Sequence, residues 1–317
     1  MAVTLAEAQK NVQDDLQIGV IDEFRKSSFI LDHITFDDAV SPTGGGATLT
    51  YGYTRLTTQP TADFRKVNEE YTGSVVEKKR YTVDLKVFGG SFEVDRIIAG
   101  MGGIVDEVNL QIEQKVKAAR ALFNDTFING DSATNEKSFD GLDKALTGSD
   151  TEFVLPAVLD MSTAAKIKEN YIDFMFYLDK FLKKLDGTPS FIGGNSDFIS
   201  VIQLCAKLAG KEQETKDDWG RQVNTYNGIP LIDFGAKAGT NDDVVATDES
   251  GISSLYFGRL GLDGLHGVSM AGQSPVKTWL PDFSTAGAVK KGEVEMVAAI
   301  ALKASKAAGK MTNIKIK

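Results

Sequence analysis

Cysteine and histidine are both scarce in this chain, and each scarcity removes a class of explanation. There is one cysteine, Cys205, in 317 residues. No disulfide can form within the chain, and a reducing compartment is expected. Cys205 lies between Leu204 and Ala206 in an apolar run, the setting of an inert buried thiol. The two histidines, His33 and His266, stand alone in sequence, and no Cys or His pair has metal-ligand spacing. Long apolar runs are also missing: residues 296–302 are far too few to cross a bilayer, so no membrane partner is expected. The start, MAVTLAEAQK, has neither the basic nor the apolar segment of a signal peptide. Positive charge is in deficit, with 35 Lys and Arg against 44 Asp and Glu and a net charge of −9. Tight nucleic-acid binding needs clustered cations, so the balance argues against it. A container whose inner face merely tolerates a polyanion remains compatible.

Catalytic motifs are missing in the same way. Gly44-Gly45-Gly46 is followed by Ala-Thr rather than Gly-Lys-Ser/Thr, so it is no phosphate-binding loop. Gly100-Met101-Gly102-Gly103 has Val105 where a dinucleotide fingerprint needs its third glycine. Residues 125–136 are acidic but lack the calcium-loop pattern, and nothing resembles a nucleophile elbow. No catalytic residue, cofactor or metal is therefore expected, and the chain is read as not an enzyme. Hydrophobic residues at 42% and charged residues at 25% describe an ordinary folded protein. Its length suits one large domain or two smaller ones.

What the sequence does contain is organised around residues 101–131. Val108, Ile112, Val116, Ala119, Phe123 and Phe127 follow at spacings of three and four, and Ile104 and Val105 extend the stripe backward. This predicts one long amphipathic helix. Asp106 and Glu107 near its start, and Lys115, Lys117 and Arg120 further along, suit the helix dipole. Asn129-Gly130 is expected to end it in left-handed geometry. About 25 residues make a rod of roughly 37 Å, which suits a flat molecule better than a compact ball.

Ahead of this helix, Leu5, Ala8, Val12, Leu16 and Val20 form a thin helical stripe that continues through Phe24 toward Phe29. Such an arm has too little apolar area to be its own core and is expected to lie on another surface. After the turn at residues 41–46 the period changes. Residues 48–55, rich in Thr and Tyr, and residues 74–95 read as two strands. Gly89-Gly90 permits a bulge or bend in the second. With the polar stretch 59–72 as their tip, the strands read as one long hairpin. An isolated hairpin is marginal in water, so this one needs another surface, most economically another subunit. Two strands of an ordinary sheet joined by a long loop is the alternative.

Beyond the long helix, residues 147–266 alternate helix and strand. Helices are expected over residues 166–185 and from an Asn195 cap to about Leu208. Short strands are expected at 191–192, 229–234, 244–247 and 254–257, with residues 211–220 as a charged loop. This is a compact α/β lobe. Strands return at 276–280 and 293–304. The basic end, with Ile314 and Ile316 between lysines, reads as a solvated tail or edge strand.

Phe127-Ile128-Asn129-Gly130-Asp131 together with Phe139-Asp140-Gly141-Leu142 resembles the helix-exit stretch of the tailed-bacteriophage major capsid protein family. Asn227-Gly228-Ile229-Pro230-Leu231 is similar to a small strand of the same family after its Gly-Ile-Pro turn. The order of parts resembles the family over nearly the whole chain. The resemblance implies an α+β Hong Kong-type shell fold. Its parts would be an N-arm at 1–46, an E-loop hairpin at 47–95, a P-domain with a long spine helix at 96–145 and 269–305, an α/β A-domain at 146–268, and a C-terminal tail at 306–317. It implies a subunit that assembles with itself through hexamers and pentamers into an icosahedral shell around double-stranded DNA. A portal protein is a further implied partner, and the location is a virion capsid assembled in the host bacterial cytoplasm. Because the arm follows Met1 at once, the scaffolding protein is expected to be a separate chain. Intersubunit contacts are expected from the hairpin tip (Phe64, Arg65, Lys66, Glu69, Glu70, Tyr71) and the arm (Phe24, Phe29). Some members form Lys–Asn cross-links, but no motif marks Lys66 or Lys78 for one. An encapsulin-like nanocompartment around a cargo enzyme stays open, as does a ligand-binding module built on the α/β lobe.

Overall fold

The computed structural model describes residues 29–41, 48–101, 107–210, 213–216, 222–272 and 276–317. The expected arm stripe at residues 5–24, the turn at 42–46 and the glycine-rich start of the long helix at 102–105 lie outside the described residues. Along the chain, a short helix (Phe29–His33) precedes β1 (Phe36–Val40), β2 (Thr50–Leu56), β3 (Lys78–Asp84) and β4 (Lys86–Asp95). A short helix (Arg96–Gly100) and the long helix (Glu107–Asn129) follow. A further short helix (Leu142–Leu146) and β5 (Glu152–Asp160) lead to the helix Ala164–Leu182, then β6 (Phe191–Gly194) and the helix Ser196–Leu208. The remaining strands are β7 (Gln213–Lys216), β8 (Gln222–Tyr226), β9 (Ile229–Asp233), β10 (Ile252–Gly258), β11 (Leu265–Met270), β12 (Val276–Trp279), β13 (Val289–Leu302) and β14 (Ala308–Lys315).

Among the described residues the strands form three sheets. One has the order β1-β11-β13-β12, with β4 also on β13; the second has the order β5-β14-β10-β6-β9-β8-β7; the third is the β2-β3 hairpin. The long strand β13 is the hub of the first sheet. Its residues 289–298 pair with β4, and its residues 298–302 pair with β11 on the other side.

The long helix joins the two larger sheets. Phe123, Phe127 and Ile128 are fully buried and share one core with Phe191 and Ile232 of the second sheet, Phe234 just beyond β9, and Met296, Ala298 and Ile300 of the first sheet. Burying each of the larger side chains among these contributes about 1.5–3 kcal/mol, so this half of the helix is held on both sides. Residues 107–118 are different, since none of them is buried. Val108, Ile112 and Val116 continue the expected stripe past the end of the chain's own core. A second core lies between the helices Ala164–Leu182 and Ser196–Leu208 and the second sheet, around Phe174, Leu178, Phe181, Phe198 and Phe257. Both helices start where a side chain accepts a free amide: Thr163 takes Lys166 N–H and Asn195 takes Phe198 N–H at 2.9 Å.

Several expectations are corrected. The second hairpin strand is two strands, because buried Leu85 breaks it. Residues 78–84 stay with β2, and residues 86–95 leave for β13. Gly89-Gly90 is no bulge, since its register with β13 is continuous. A Cβ on Gly89 would lie 2.0 Å from Val294 O, so glycine is required there by the close approach of β13. The long helix does not end in left-handed geometry, as neither Asn129 nor Gly130 has positive φ. Residues 244–247 are no strand; Val244 and Val245 are apolar because they are buried in the shared core. The charged loop 211–220 contains β7, which pairs with β8. The C-terminal stretch is neither a solvated tail nor an edge. β14 lies between β5 and β10, and Met311 and Ile314 are fully buried. Its alternation with lysine is that of a half-buried strand.

Candidate assembly surfaces

The hairpin is anchored at its root and bare beyond it. Tyr51, Tyr53 and Arg55 alternate along β2 and so share one face. That face meets the end of β13. Tyr53 OH donates to Leu302 O at 2.9 Å, Arg55 Nε donates to Lys303 O at 2.8 Å, and Arg55 Nη2 donates to Leu302 O. The Arg55 guanidinium lies 4.3 Å from the centre of the Tyr81 ring, and Tyr81 stacks on Tyr53 at 5.8 Å. Tyr51 OH donates to Asp37 of β1 at 2.8 Å, and burial raises the pKa of this hydroxyl above the usual tyrosine range.

Past Arg55 none of the described residues covers the hairpin. Every residue from 56 to 80 is exposed. Phe64 is fully exposed, and Val67 and Val75 are more than four-fifths exposed. The tip is shaped by a few local bonds. Glu69 N–H donates to Lys66 O at 3.2 Å, Asn68 takes a φ of 70°, and Arg65 lies 5.3 Å from the Tyr71 ring centre. Phe64, Arg65, Lys66, Glu69, Glu70 and Tyr71 are thus together on one projecting tip. Phe29 is elsewhere. It stacks on His33 and packs partly against the shared core of its own chain. Phe24 lies outside the described residues. Lys66 and Lys78 are both exposed.

The stretch that ends the long helix is a clamp between two crossing segments. Gly141 N–H donates to Gly130 O at 2.8 Å. A Cβ on Gly130 would stand 2.3 Å from Phe139 O, and one on Gly141 would stand 2.6 Å from Ile128 O, so neither crossing point has room for a side chain. Lys144 closes the clamp by pairing with Asp131 at 2.5 Å and Asp140 at 2.9 Å. That ammonium, helped by Thr134 Oγ1 and Ala133 N–H, lowers the Asp131 carboxyl to about 2. A hollow of about 690 Å³ opens beside the clamp, lined by Asp125, Thr126, Asn129, Asp131 and Thr134 among others.

Among the described residues, no three His, Cys, Asp or Glu side chains are grouped to hold a metal ion. No helix there is long and apolar enough to cross a membrane. Cys205 is fully buried, and burial pushes its thiol up to about 12. Sequence reasoning missed the root residues Tyr51, Tyr53 and Arg55. Their alternation marked a strand with one special face, but nothing local showed that this face meets residues almost 250 positions away.

This architecture is the Hong Kong-type shell fold of phage capsid proteins, which an encapsulin shares. No family model matches the sequence, and no curated protein matches it. Solved structures do. An encapsulin complex from Synechococcus elongatus superposes with a TM-score of 0.67 at 12% identity, covering 99% of this chain and 97% of that one. A structure from Mycobacterium phage Adephagia gives 0.62 at 13% identity, covering 100% and 99%. The capsid of a native GTA particle gives 0.61 at 11% identity, covering 98% of each chain. At such identities the likeness is one of fold.

Proposed function

We propose that this chain is the major capsid protein of a tailed bacteriophage. In this reading it is a structural subunit that assembles through hexamers and pentamers into an icosahedral shell around double-stranded DNA. The observation that carries the reading is the hairpin. Its root is fastened to the body, while residues 56–80, with Phe64, Val67 and Tyr71 among them, are exposed throughout. A segment of this length gains nothing from such a position within one chain, and an apolar tip is stabilised when a neighbouring subunit covers it. The hairpin is then the E-loop, and the half-bare start of the long helix is part of the surface that receives neighbours. Closed symmetric assembly uses large contact surfaces and no catalytic pocket. The net charge of −9 suits a shell that encloses DNA without gripping it. A scaffolding protein, a portal protein and a site of assembly in the host cytoplasm belong to the same reading.

The likeness to an encapsulin at a TM-score of 0.67 favours a second reading, a nanocompartment shell around a cargo protein. Particle contents separate the two: packaged DNA for the first, a co-purifying protein for the second. Deleting residues 60–72 tests the E-loop assignment common to both. The root bonds of Tyr53 and Arg55 remain, so the variant should keep wild-type circular dichroism and lose shell closure. Normal shells from this variant would refute the assignment.

A further inference from the structure

The hairpin root contains a buried histidine whose ring makes no hydrogen bond of good geometry, with the Gly264 carbonyl as a backbone neighbour. His266 of β11 is fully buried, and among the described residues neither ring nitrogen has a hydrogen-bond partner within bonding geometry. Leaving such a group unsatisfied costs on the order of 1–3 kcal/mol, so its position calls for an explanation. Its surroundings are ionisable on three sides. From β1, Asp37 Oδ2 lies 4.0 Å from His266 Nε2. From β2, Tyr51 sets its ring edge-on to the imidazole at 5.8 Å between centres. From the end of β13, Lys303 places Nζ 3.6 Å from the same Asp37 oxygen and 5.5 Å from the Tyr51 ring centre. β13 itself contributes Ala301 opposite the histidine. The Gly264 carbonyl nearby already accepts Lys303 N–H at 2.9 Å.

One carboxylate oxygen therefore serves three claimants. Asp37 Oδ2 accepts Tyr51 OH at 2.8 Å, faces the Lys303 ammonium, and stands about one ångström too far from His266 for a hydrogen bond. While the imidazole is neutral, Tyr51 holds the oxygen and β2 is tied to β1. A charged imidazolium at the same position is a buried cation beside a second cation, and among the described residues Asp37 is the carboxylate paired with it.

We infer that His266 makes the hairpin root acid-sensitive: protonation of the buried ring draws Asp37 off Tyr51 and loosens the base of the hairpin, which Tyr53 and Arg55 still tie to the end of β13. Burial, and next the charge of Lys303, hold the ring below the ordinary histidine range; Asp37 and the Gly264 carbonyl oppose this more weakly. The direction follows from linkage. A ring that is harder to protonate folded than unfolded makes the closed root lose stability as the pH falls below about 6.5. The inference concerns one chain and does not depend on the shell reading.

The test uses the whole chain in solution. The protein has two histidines, so imidazole signals in a carbon–proton correlation spectrum are readily assigned by substituting His33. The pH is lowered from 7.5 to 5.0 while hydrogen exchange of the β2 and β3 amides is followed in the wild type and in His266→Gln, each relative to the intrinsic rate of an unstructured chain at the same pH, which cancels the intrinsic pH dependence. We expect exchange at Tyr51, Tyr53 and Arg55 to accelerate tenfold or more in the wild type, with the midpoint of the His266 signal, and the His266→Gln profile to stay flat. Asp37→Asn, which keeps an acceptor for Tyr51 but loses the charge, should shift both midpoints together to lower pH. The inference is overturned if His266 titrates without change at these amides. It is equally overturned if His266→Gln accelerates in acid as the wild type does, or if His266 does not titrate before the whole chain unfolds. Should His266→Gln fail to fold, the coincidence of the two wild-type midpoints decides alone.

Discussion

Arg55 is the strongest single tie between the hairpin and the body, and its removal can be given a magnitude. Arg55→Met keeps most of the aliphatic bulk and deletes the guanidinium. Two charge-assisted bonds to Leu302 O and Lys303 O are lost, together with the stacking on Tyr81. Bonds to charged groups contribute about 1.5–3 kcal/mol each when buried. This side chain is only half-buried and water replaces part of the loss. Leu302 O also keeps Tyr53 OH as a donor. A net cost of about 2–3 kcal/mol to the closed hairpin follows, including roughly 0.5–1 kcal/mol from the cation–π contact. That corresponds to a 30- to 150-fold rise in local opening, at about 1.4 kcal/mol per factor of ten. Native-state hydrogen exchange reads it directly. Amides of β2 and β3 should exchange faster by that factor, and amides of the Ser196–Leu208 helix should not change. An equal loss in both places would show that the hairpin opens only with the whole fold. No loss in either would show that the root bonds contribute nothing.

Three further outcomes check other parts of the account. Gly130→Ala puts a Cβ 2.3 Å from a backbone carbonyl that cannot rotate away, so it should destabilise by about 1–3 kcal/mol or more in denaturant unfolding. An unchanged midpoint would mean the helix exit is looser than described. Asp131 has a folded pKa lowered to about 2, so the stability it provides is present above about pH 4 and is lost as the pH falls toward 2. Asp131→Asn should therefore be less stable than wild type at pH 7 and converge with it near pH 2; a constant difference would contradict the Lys144 pairing. The Cys205 thiol, fully buried and raised to about 12, should react with a disulfide reagent only as fast as the surrounding core opens. Rapid native labelling would refute that burial.

The helices were the most legible part of the sequence, because their information is local. The three-and-four spacing from Val108 to Phe127, the stripe from Ile167 to Leu182 and the Asn195 cap each fall within a few turns of chain. The hairpin was legible only as far as its partner was near. Residues 50–56 and 78–84 carry matching alternation, but β4 looks like more of the same strand until β13, some two hundred residues on, claims it. Short strands in the interior were hardest. β11 (Leu265–Met270) is buried along almost its whole length and shows no alternation. The longer β5 was hidden for another reason, since it lies at a sheet edge and contains Pro156, which an edge strand tolerates. Residues 244–247 failed in the opposite way, being apolar from burial rather than from pairing. At the tip the exposed residues were found because charge and turn chemistry marked them. The root was missed because Tyr51, Asp37, His266 and Lys303 meet only through tertiary contacts.

The central claim is that this subunit builds closed shells, and electron microscopy of the purified chain tests it most directly, first alone and then with a scaffolding protein co-expressed from the same source. The account predicts closed particles, or rings of five and six subunits, in at least one of the two preparations. Monomers or dimers in both would contradict it.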